Sequence, residues 1–291
     1  MRDYLDMIIQ GLIQGVTEFL PVSSSGHLSL AQHFFGTEES LKLFNSIMLH
    51  LGTLAAVFIA FYKTIFSLIK EFFVLIRDVF TGKFKWKTMN PERRMIIMII
   101  ISIIPLFGFY IFKDFFSKLA SDSDIIIEGI AFIYTGTLLL FSGKSMNGKK
   151  TAGDIKTSDA LIVGVFQGIA VIPGISRSGS TISAGLFRGM KRETAIEYSF
   201  ILGIPVILAG ALVEFMDVRK AEVSIEWMPV LLGFAVAAIS GFFAIKLIRW
   251  LIKSDKFKYF GYYTLALGAL VIILGITERI TGSNIIEMLT K

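Results

Sequence analysis

The sequence predicts an all-α polytopic membrane protein with six transmembrane helices and two re-entrant helical hairpins in an inverted-topology repeat. Of its 291 residues, 54% belong to the hydrophobic set AVILMFWYC and 27 are phenylalanine, and the mean hydropathy is +0.70. This composition is too apolar for a soluble globular domain. Two related segments, each interrupted by Gly, Pro and Ser, predict the hairpins and the repeat.

The sequence predicts a single membrane domain over residues 1–291. MRDYLDMIIQGLIQG has two aspartates ahead of its apolar run and no small-residue cleavage site, so we do not expect a removable signal peptide. The chain contains no cysteine. That excludes a disulfide, a thiolate nucleophile and a cysteine metal site.

An internal duplication is visible at an offset of 153 residues. Residues 11–36 then align without a gap on residues 164–189, and nine of the 26 positions are identical. The identities are mostly Gly, Ser and Gln, whereas chance matches in apolar sequence fall among Leu, Ile and Val. We therefore predict repeat one over about residues 1–143 and repeat two over about residues 157–291.

Each copy begins with a segment typical of a re-entrant hairpin, at residues 4–35 and 160–190. Gly, Pro and Ser leave two apolar arms that are too short to span a bilayer separately. Irregular backbone at membrane depth must be buried in protein or line a wet cavity. Because three spans follow each hairpin, the second copy is inverted, and we expect the two tips to meet near the midplane.

Six stretches are long and apolar enough to cross a bilayer, which requires about 20 residues. They are residues 43–62, 95–112, 125–142, 194–213, 229–248 and 259–276. The segment FSLIKEFFVLIR, residues 66–77, is either a helix on the cytoplasmic surface or an extension of the first span. The glycine-rich stretch 261–275 packs either within the chain or against a partner, so a homodimer stays open.

The distribution of basic residues predicts the orientation of the spans. Lys and Arg total 19 in one set of connecting segments and 8 in the set that alternates with it. We expect the richer set to be cytoplasmic, which places both termini outside and lets the first hairpin enter from the outer face. The net charge of +6 arises from these segments, so it does not indicate a nucleic-acid partner.

Two charged residues, Glu18 and Arg177, lie inside the predicted hairpin tips. An ionisable group near the bilayer centre costs about 2.5 to 3.5 kcal/mol on insertion scales. A buried ion pair between the tips is one explanation. A ligand site is the other, because hydroxyls and glycines surround both charges. These are Ser23, Ser24, Ser25, Gly26, Gly174, Ser176, Ser178, Gly179 and Thr181.

The second tip, PGISRSGST at residues 173–181, has the features of an anion site. Pro and Gly break the first arm, and Ser and Thr stand at the start of the next helix. Free N–H groups at a helix N-terminus and an adjacent guanidinium together bind phosphate or diphosphate. The predicted substrate-binding residues are Arg177, Gly174, Ser176, Ser178 and Thr181, with Ser23 and Ser25 from the first tip.

The first tip carries different groups, which favours a reaction over symmetric transport. Ser24 occupies the repeat position of Arg177 and lies three residues before His27. We predict Ser24 as a nucleophile, His27 as its base, and Glu18 as the group that orients His27 or holds a metal ion. Gln14 lies one helical turn before Glu18 and shares its face. Mg²⁺ or Ca²⁺ takes such oxygen ligands and bridges phosphate oxygens.

A further candidate residue, His50, lies within a predicted span. His50 either lines a cavity or packs as a satisfied histidine. The phosphate-loop pattern GxxxxGK[ST] and the metalloprotease pattern HExxH are absent from the sequence.

The two tips resemble the signature motifs of the undecaprenyl-diphosphate phosphatase family, the integral membrane type linked to bacitracin resistance. QGVTEFLPVSSSGH, residues 14–27, is similar to the first motif, and PGISRSGST is similar to the second. The resemblance covers essentially the whole chain. It implies hydrolysis of a polyprenyl diphosphate lipid, undecaprenyl diphosphate, to undecaprenyl phosphate and inorganic phosphate, which recycles the lipid carrier for cell-wall synthesis.

The same resemblance implies roles for individual residues. Glu18, Ser24, His27 and Arg177 would be essential, and a divalent cation would be required. Gln14 stands where many members have Glu, so the metal site has one carboxylate fewer. The enzyme would lie among the lipids of the bacterial cytoplasmic (inner) membrane, with its active site opening to the outer face.

The sequence leaves two alternatives open. Attack by water that His27 or Glu18 activates is the nearest rival to attack by Ser24. Inverted repeats with broken helices are also the architecture of secondary transporters, so movement of a polyprenyl phosphate lipid across the membrane is the alternative function.

Overall fold

The secondary structure is helical throughout the part of the chain that a computed structural model describes. The described residues are 2–35, 39–112, 125–218, 226–254 and 256–282. Within them the chain forms eleven α-helices and three short 3-10 turns, and Lys150 and Met190 form an isolated bridge. The all-helical fold class is therefore confirmed for these ranges.

The eleven helices are divided between the two halves of the chain. The first half contains α1 (Arg2–Phe19), α2 (Ser24–Phe35), α3 (Glu39–Ala60), α4 (Tyr62–Phe80), α5 (Pro91–Tyr110) and α6 (Ile126–Ser142). The second half contains α7 (Thr157–Ile169), α8 (Arg177–Phe187), α9 (Arg192–Val218), α10 (Trp227–Lys253) and α11 (Lys258–Thr281).

Four of the described helices are long and apolar enough to cross a membrane. They are Ile126–Ser145, Arg192–Met216, Trp227–Lys253 and Lys258–Thr281, and they coincide with four predicted spans. A fifth is reached if the bent pair Phe44–Ala60 and Tyr62–Phe80 counts as one span. The predicted span 95–112 falls on α5, which is not among these candidates. The first turn of α5 carries Glu92, Arg93 and Arg94, which lower its apolar character.

The bend between α3 and α4 bears on one of the open alternatives. The two helices meet at 88°, so α4 is not a straight extension of the first span. Phe66, Phe73 and Phe80 are exposed on α4, while Ile65 and Leu68 on another face are buried in the core. An amphipathic helix with exposed aromatic side chains is suited to a membrane surface.

The first arm of each hairpin packs along a long helix from the other half of the chain. α1 packs on α10, and α7 packs on α5. The contacts are close: a Cβ on Gly11 would lie 2.7 Å from the carbonyl oxygen of Gly233, and one on Gly164 would lie 2.3 Å from that of Ser102. Gly11 and Gly164 are equivalent in the duplication, so both copies use a glycine for the same close approach.

The glycines of α11 pack against α6 within the chain. A Cβ on Gly268 would lie 2.7 Å from the carbonyl oxygen of Gly129, and one on Gly136 would lie 2.8 Å from that of Gly261. Small residues allow two membrane helices to approach at this distance. The glycines of the stretch 261–275 therefore pack within the chain, and the homodimer stays a prediction.

Candidate active site at the meeting of two hairpin tips

The tips of the two hairpins touch directly. The Ser178 hydroxyl donates to the carbonyl oxygen of Leu20 over 3.3 Å, and the Gly174 N–H donates to the Ser25 hydroxyl over 3.2 Å. Gly174 has a φ of +85°, a conformation that suits glycine. The second tip can therefore turn its N–H toward the first, and polar groups from distant parts of the sequence come together.

Two equivalent serines cap the helices that leave the tips. The Ser23 hydroxyl accepts from the N–H of Gly26 over 3.2 Å, and the Ser176 hydroxyl accepts from the N–H of Gly179 over 3.0 Å. Both bonds link residue i to residue i+3, as helix N-caps do. The duplication thus extends to individual hydrogen bonds, and one hydroxyl in each tip is committed to its own helix.

Glu18 is the centre of the cluster where the tips meet. Its Oε1 accepts from Arg177 Nη2 over 2.5 Å, and its Oε2 accepts from Ser24 Oγ over 2.7 Å and from Gln14 Nε2 over 3.0 Å. His50 Nε2 lies 4.0 Å from the same Oε2. The Glu18 side chain is only 6% exposed, so these groups replace the water that it would otherwise bind.

Arg177 begins α8 and uses only part of its guanidinium on Glu18. Its Nη1 is buried and has no hydrogen-bond partner among the described residues. A Cβ on Gly203 would lie 2.2 Å from Nη1, so the absence of a side chain at this position makes room for the guanidinium. The predicted ion pair is present, and the unpartnered nitrogen leaves a donor for an anion.

A cavity of about 210 Å³ opens beside this cluster. A water molecule occupies about 30 Å³ in the liquid, so the cavity has room for a small, highly charged group. Six predicted site residues line it, namely Glu18, Ser24, Ser25, Ser176, Arg177 and Ser178. His50 lines it as well, which supports the first of its two predicted uses. The other walls are mostly apolar and include Val206, Ile207 and Ala211 of α9.

Five predicted site residues lie away from the cavity wall. Gln14, Ser23, His27, Gly174 and Thr181 are not among its lining residues. Thr181 is buried, shares a 2.6 Å hydrogen bond with Ser199 and donates to the carbonyl oxygen of Arg177 over 2.9 Å. Its hydroxyl therefore joins α8 to Ser199 of α9 and does not line this cavity.

His27 does not form the predicted hydrogen bond with Ser24. Its Nδ1 lies 2.7 Å from the carbonyl oxygen of Ser23, which only accepts, so Nδ1 carries a proton. Its Nε2 lies 2.7 Å from the hydroxyl of Tyr263, and the two rings are stacked. In the uncharged ring Nε2 accepts from Tyr263, which leaves no basic nitrogen for Ser24. Ser24 instead donates to Glu18.

Three residues that matter to this geometry were not predicted from the sequence. Glu214 of α9 lines the cavity, and a carboxylate near the end of a predicted span was the available signal. Tyr263 lies 236 positions from His27, so no local pattern indicated their contact. Gly203 aligns with His50 at the offset of 153 residues, but only the fold shows its contact with Arg177.

The expected cation site at Glu18 and Gln14 has few protein donors among the described residues, since Gln14 turns its Nε2 toward Glu18. Gln14 is fully buried, and its Oε1 has no hydrogen-bond partner among the described residues. Groups of three or more His, Cys, Asp or Glu that would hold a metal ion are absent from the described part of the chain. Hard cations also accept phosphate oxygens and water as ligands. The divalent cation therefore stays a prediction, and phosphate oxygens and water would have to supply most of its ligands.

Comparison with known proteins shows extensive similarity. Residues 7–270 match the family described as "Bacitracin resistance protein BacA". The chain is 43% identical to an undecaprenyl-diphosphatase of Alkaliphilus metalliredigens, in an alignment that covers 92% of this chain and 98% of that protein. It is 39% identical to that of Carboxydothermus hydrogenoformans, with coverage of 92% and 95%. It is 40% identical to that of Methanosphaera stadtmanae, with coverage of 95% and 99%.

Proposed function

The chain belongs to the BacA family of bacitracin resistance proteins, and we propose that it hydrolyses undecaprenyl diphosphate to undecaprenyl phosphate and inorganic phosphate. It is a membrane phosphatase that acts on the diphosphate of a lipid carrier. The product re-enters the synthesis of cell-wall polymers. Bacitracin resistance, which the family name records, is part of the same proposal.

The observation that carries this proposal is the cluster of Arg177, Glu18 and Ser24 beside the cavity. A cation with an unpartnered nitrogen, a carboxylate and a hydroxyl lie within one hydrogen-bonded group. Phosphoryl transfer requires these parts: positive charge on the phosphate oxygens, an acceptor for a proton and a nucleophile. An ion pair that served stability alone would not need the cavity or the hydroxyl.

Substrate binding begins with Arg177. Its Nη1 and the first N–H groups of α8 hold the diphosphate, and their positive charge offsets the charge that develops as the terminal P–O bond breaks. The guanidinium is positioned for this by its contact with Glu18 and by the space at Gly203. Ser176 and Ser178, which line the cavity, hold the α8 N-terminus in place through Gly179 and Leu20.

Ser24 acts as the nucleophile and Glu18 as its base. The Ser24 hydroxyl already donates to Glu18 Oε2, so its proton passes to the carboxylate as Oγ bonds to the terminal phosphorus. The bond from that phosphorus to the bridging oxygen breaks, and undecaprenyl phosphate leaves. Water then attacks the phosphoserine, which releases inorganic phosphate and restores the hydroxyl. Direct attack by water that Glu18 activates is the rival.

His27 is a positioning residue in this mechanism. Ser23 has a φ of +75°, an uncommon conformation for a residue with a side chain. His27 Nδ1 donates to the carbonyl oxygen of Ser23 and stabilises that turn, which orients the next residue, Ser24. The resemblance implies that His27 is essential, and in this mechanism it is essential because it holds Ser24 in position.

A divalent cation, Mg²⁺ or Ca²⁺, would be held by Glu18 and Gln14 and would supply charge neutralisation for the diphosphate oxygens. Gln14 contributes an amide oxygen where a glutamate would contribute charge. We therefore expect the free ion to bind weakly, and to bind more tightly when the oxygens of the substrate are present.

The proposed setting is the cytoplasmic (inner) membrane of a bacterium, with six spans, two re-entrant hairpins and surrounding membrane lipids. Repeat one occupies about residues 1–143 and repeat two about residues 157–291. The cavity runs along α9 toward Glu214, close to the end of α9 that the basic-residue counts assign to the outside. This supports an active site that opens to the outer face.

Phosphate release by the purified protein in detergent tests the proposal. We expect release from undecaprenyl diphosphate that requires Mg²⁺ or Ca²⁺, stops with EDTA and is lost in Ser24→Ala. Ser67→Ala is the matched control, because that hydroxyl donates only to the carbonyl oxygen of Thr64 on α4. No release by folded wild-type protein with any of these ions would contradict the proposal.

Movement of a polyprenyl phosphate without hydrolysis is the alternative function. It predicts that a variant unable to hydrolyse, such as Ser24→Ala, still moves labelled lipid between the leaflets of proteoliposomes. A phosphatase without transport predicts no movement above that of protein-free liposomes.

A further inference from the structure

A second cavity of about 600 Å³ lies between the C-terminal end of α6 and the N-terminal end of α11. It shares no lining residue with the candidate active site. Lys144, in the 3-10 turn after α6, and Lys258, the first residue of α11, both border it. The described residues that line this groove include no Asp or Glu. It therefore combines two positive charges with no carboxylate to neutralise them.

The remaining walls of the groove are mostly apolar or aromatic, with one hydroxyl from Thr137. Leu140, Phe141, Met146 and Tyr262 line it. Phe141 is 57% exposed and Tyr262 is 54% exposed, so both rings face outward beside the lysines. A pair of cations next to an exposed apolar surface matches an amphiphile with an anionic headgroup and hydrocarbon chains. A free anion would not use the aromatic wall.

The position of the groove along the helices indicates which leaflet it faces. Its two lysines belong to segments 144–158 and 249–258, which are among the Lys- and Arg-rich connections. These connections are expected on the cytoplasmic side. The cytoplasmic leaflet carries anionic lipids, and basic pockets between transmembrane helices on that side bind their headgroups.

We propose that this groove is a binding site for an anionic glycerophospholipid of the cytoplasmic leaflet. The lipid phosphate lies between the ammonium groups of Lys144 and Lys258, and the acyl chains lie along Phe141 and Tyr262. The bound lipid joins the ends of α6 and α11, whose glycine contacts lie further along the same helix pair. The site is separate from the catalytic cavity, so it does not depend on the proposed function.

Native mass spectrometry of the detergent-solubilised protein tests this site. The protein is titrated with phosphatidylglycerol, with phosphatidylcholine of the same chains and with undecaprenyl phosphate. The variant is Lys144→Gln with Lys258→Gln, and the matched control is Lys256→Gln, an exposed lysine that lies over the ring of Trp250. All substituted side chains are exposed, so we expect folded proteins with unchanged thermal unfolding midpoints.

The expected result is retention of phosphatidylglycerol by wild type and by Lys256→Gln. The double variant should lose affinity by roughly tenfold to thirtyfold, as expected when two lysines near an anionic lipid are removed. Equal retention by the double variant and wild type would overturn the proposal, as would equal binding of phosphatidylcholine. Preferential displacement of phosphatidylglycerol by undecaprenyl phosphate would also overturn it, because the site would then belong to a prenyl lipid.

Discussion

Arg177 Nη2 lies 2.5 Å from Glu18 Oε1, although the two residues are 159 positions apart in the sequence. The contact joins the N-terminal residue of α8 to the C-terminal turn of α1. Each charge offsets the cost of burying the other in an apolar environment. In the proposed mechanism the diphosphate competes with Glu18 for Nη2 of Arg177, whereas Nη1 has no hydrogen-bond partner among the described residues.

Replacing Glu18 by Gln should abolish most of the turnover. The amide cannot take the proton of Ser24, and general-base catalysis contributes about 10²- to 10⁴-fold. We expect kcat to fall by that factor. Phosphate release is measured together with the thermal unfolding midpoint, because the substitution also removes the negative charge that is paired with Arg177. Glu193→Gln, whose carboxylate is 61% exposed, is the control and should behave like wild type. A Glu18→Gln enzyme with near-wild-type kcat would exclude Glu18 as the base.

Replacing Gly203 by Ala should impair the enzyme, although Gly203 does not line the cavity. The new Cβ would lie 2.2 Å from Arg177 Nη1 and displace the guanidinium. A misplaced binding group of this kind costs on the order of 10²-fold in kcat/KM. Steady-state kinetics measures the loss.

Gly210→Ala is the matched control for that substitution. Gly210 lies on the same helix and lines the cavity, but a Cβ there meets nothing within 4 Å. We expect its kinetics to stay within about threefold of wild type. Equal losses in the two variants would mean that the Arg177 contact is not the cause.

Replacing His27 separates a positioning role from a proton-transfer role. His27→Ala removes the donor to the carbonyl oxygen of Ser23 and should lower kcat strongly. His27→Asn keeps a side-chain N–H near the position of Nδ1, so we expect it to recover a large part of that loss. Asparagine is not a base, so equal inactivity of both variants across the pH profile would favour proton transfer by His27.

Asp159 should be important for stability rather than catalysis. It is fully buried and accepts from Lys150 Nζ over 2.7 Å, from Arg188 Nε over 2.8 Å and from the N–H of Lys156 over 3.0 Å. Asp159→Asn should destabilise the protein by about 1.5 to 3 kcal/mol, as expected for hydrogen bonds to a charged group. We predict a lower thermal unfolding midpoint and an unchanged kcat for this variant. An unchanged midpoint would show that the three contacts contribute nothing measurable.

The sequence predicted the parts of the fold that follow from periodicity and duplication. The gapless offset paired Ser23 with Ser176, and in the structure both hydroxyls form the same helix cap. The contact of Glu18 with Arg177 could be expected because two charges in interrupted apolar segments require partners. Four apolar spans were also identifiable from length and composition.

The remaining features depend on tertiary contacts that no local pattern encodes. His27 and Ser24 are three residues apart, and the sequence predicted that a ring nitrogen of His27 would accept the proton of Ser24. In the structure, Nε2 of His27 is instead hydrogen-bonded to the hydroxyl of Tyr263 from α11. Thr181 lies in the phosphate-binding motif, yet Ser199 from α9 engages its hydroxyl. In both cases a neighbouring helix supplied a hydrogen-bond partner whose position was unknown before the fold.

The measurement that tests the central claim most directly is phosphate release from undecaprenyl diphosphate by Arg177→Ala. Arg77→Ala, an arginine on α4 that is 67% exposed, is the control for loss of positive charge. Arg177→Lys keeps the charge beside Glu18 and reports whether the fold survives. We predict that Arg177→Ala loses roughly 10³-fold or more in kcat/KM, that Arg177→Lys retains a fraction of activity, and that Arg77→Ala matches wild type. Release by folded Arg177→Ala at a rate near that of wild type would contradict the claim that the two hairpin tips form one phosphatase site.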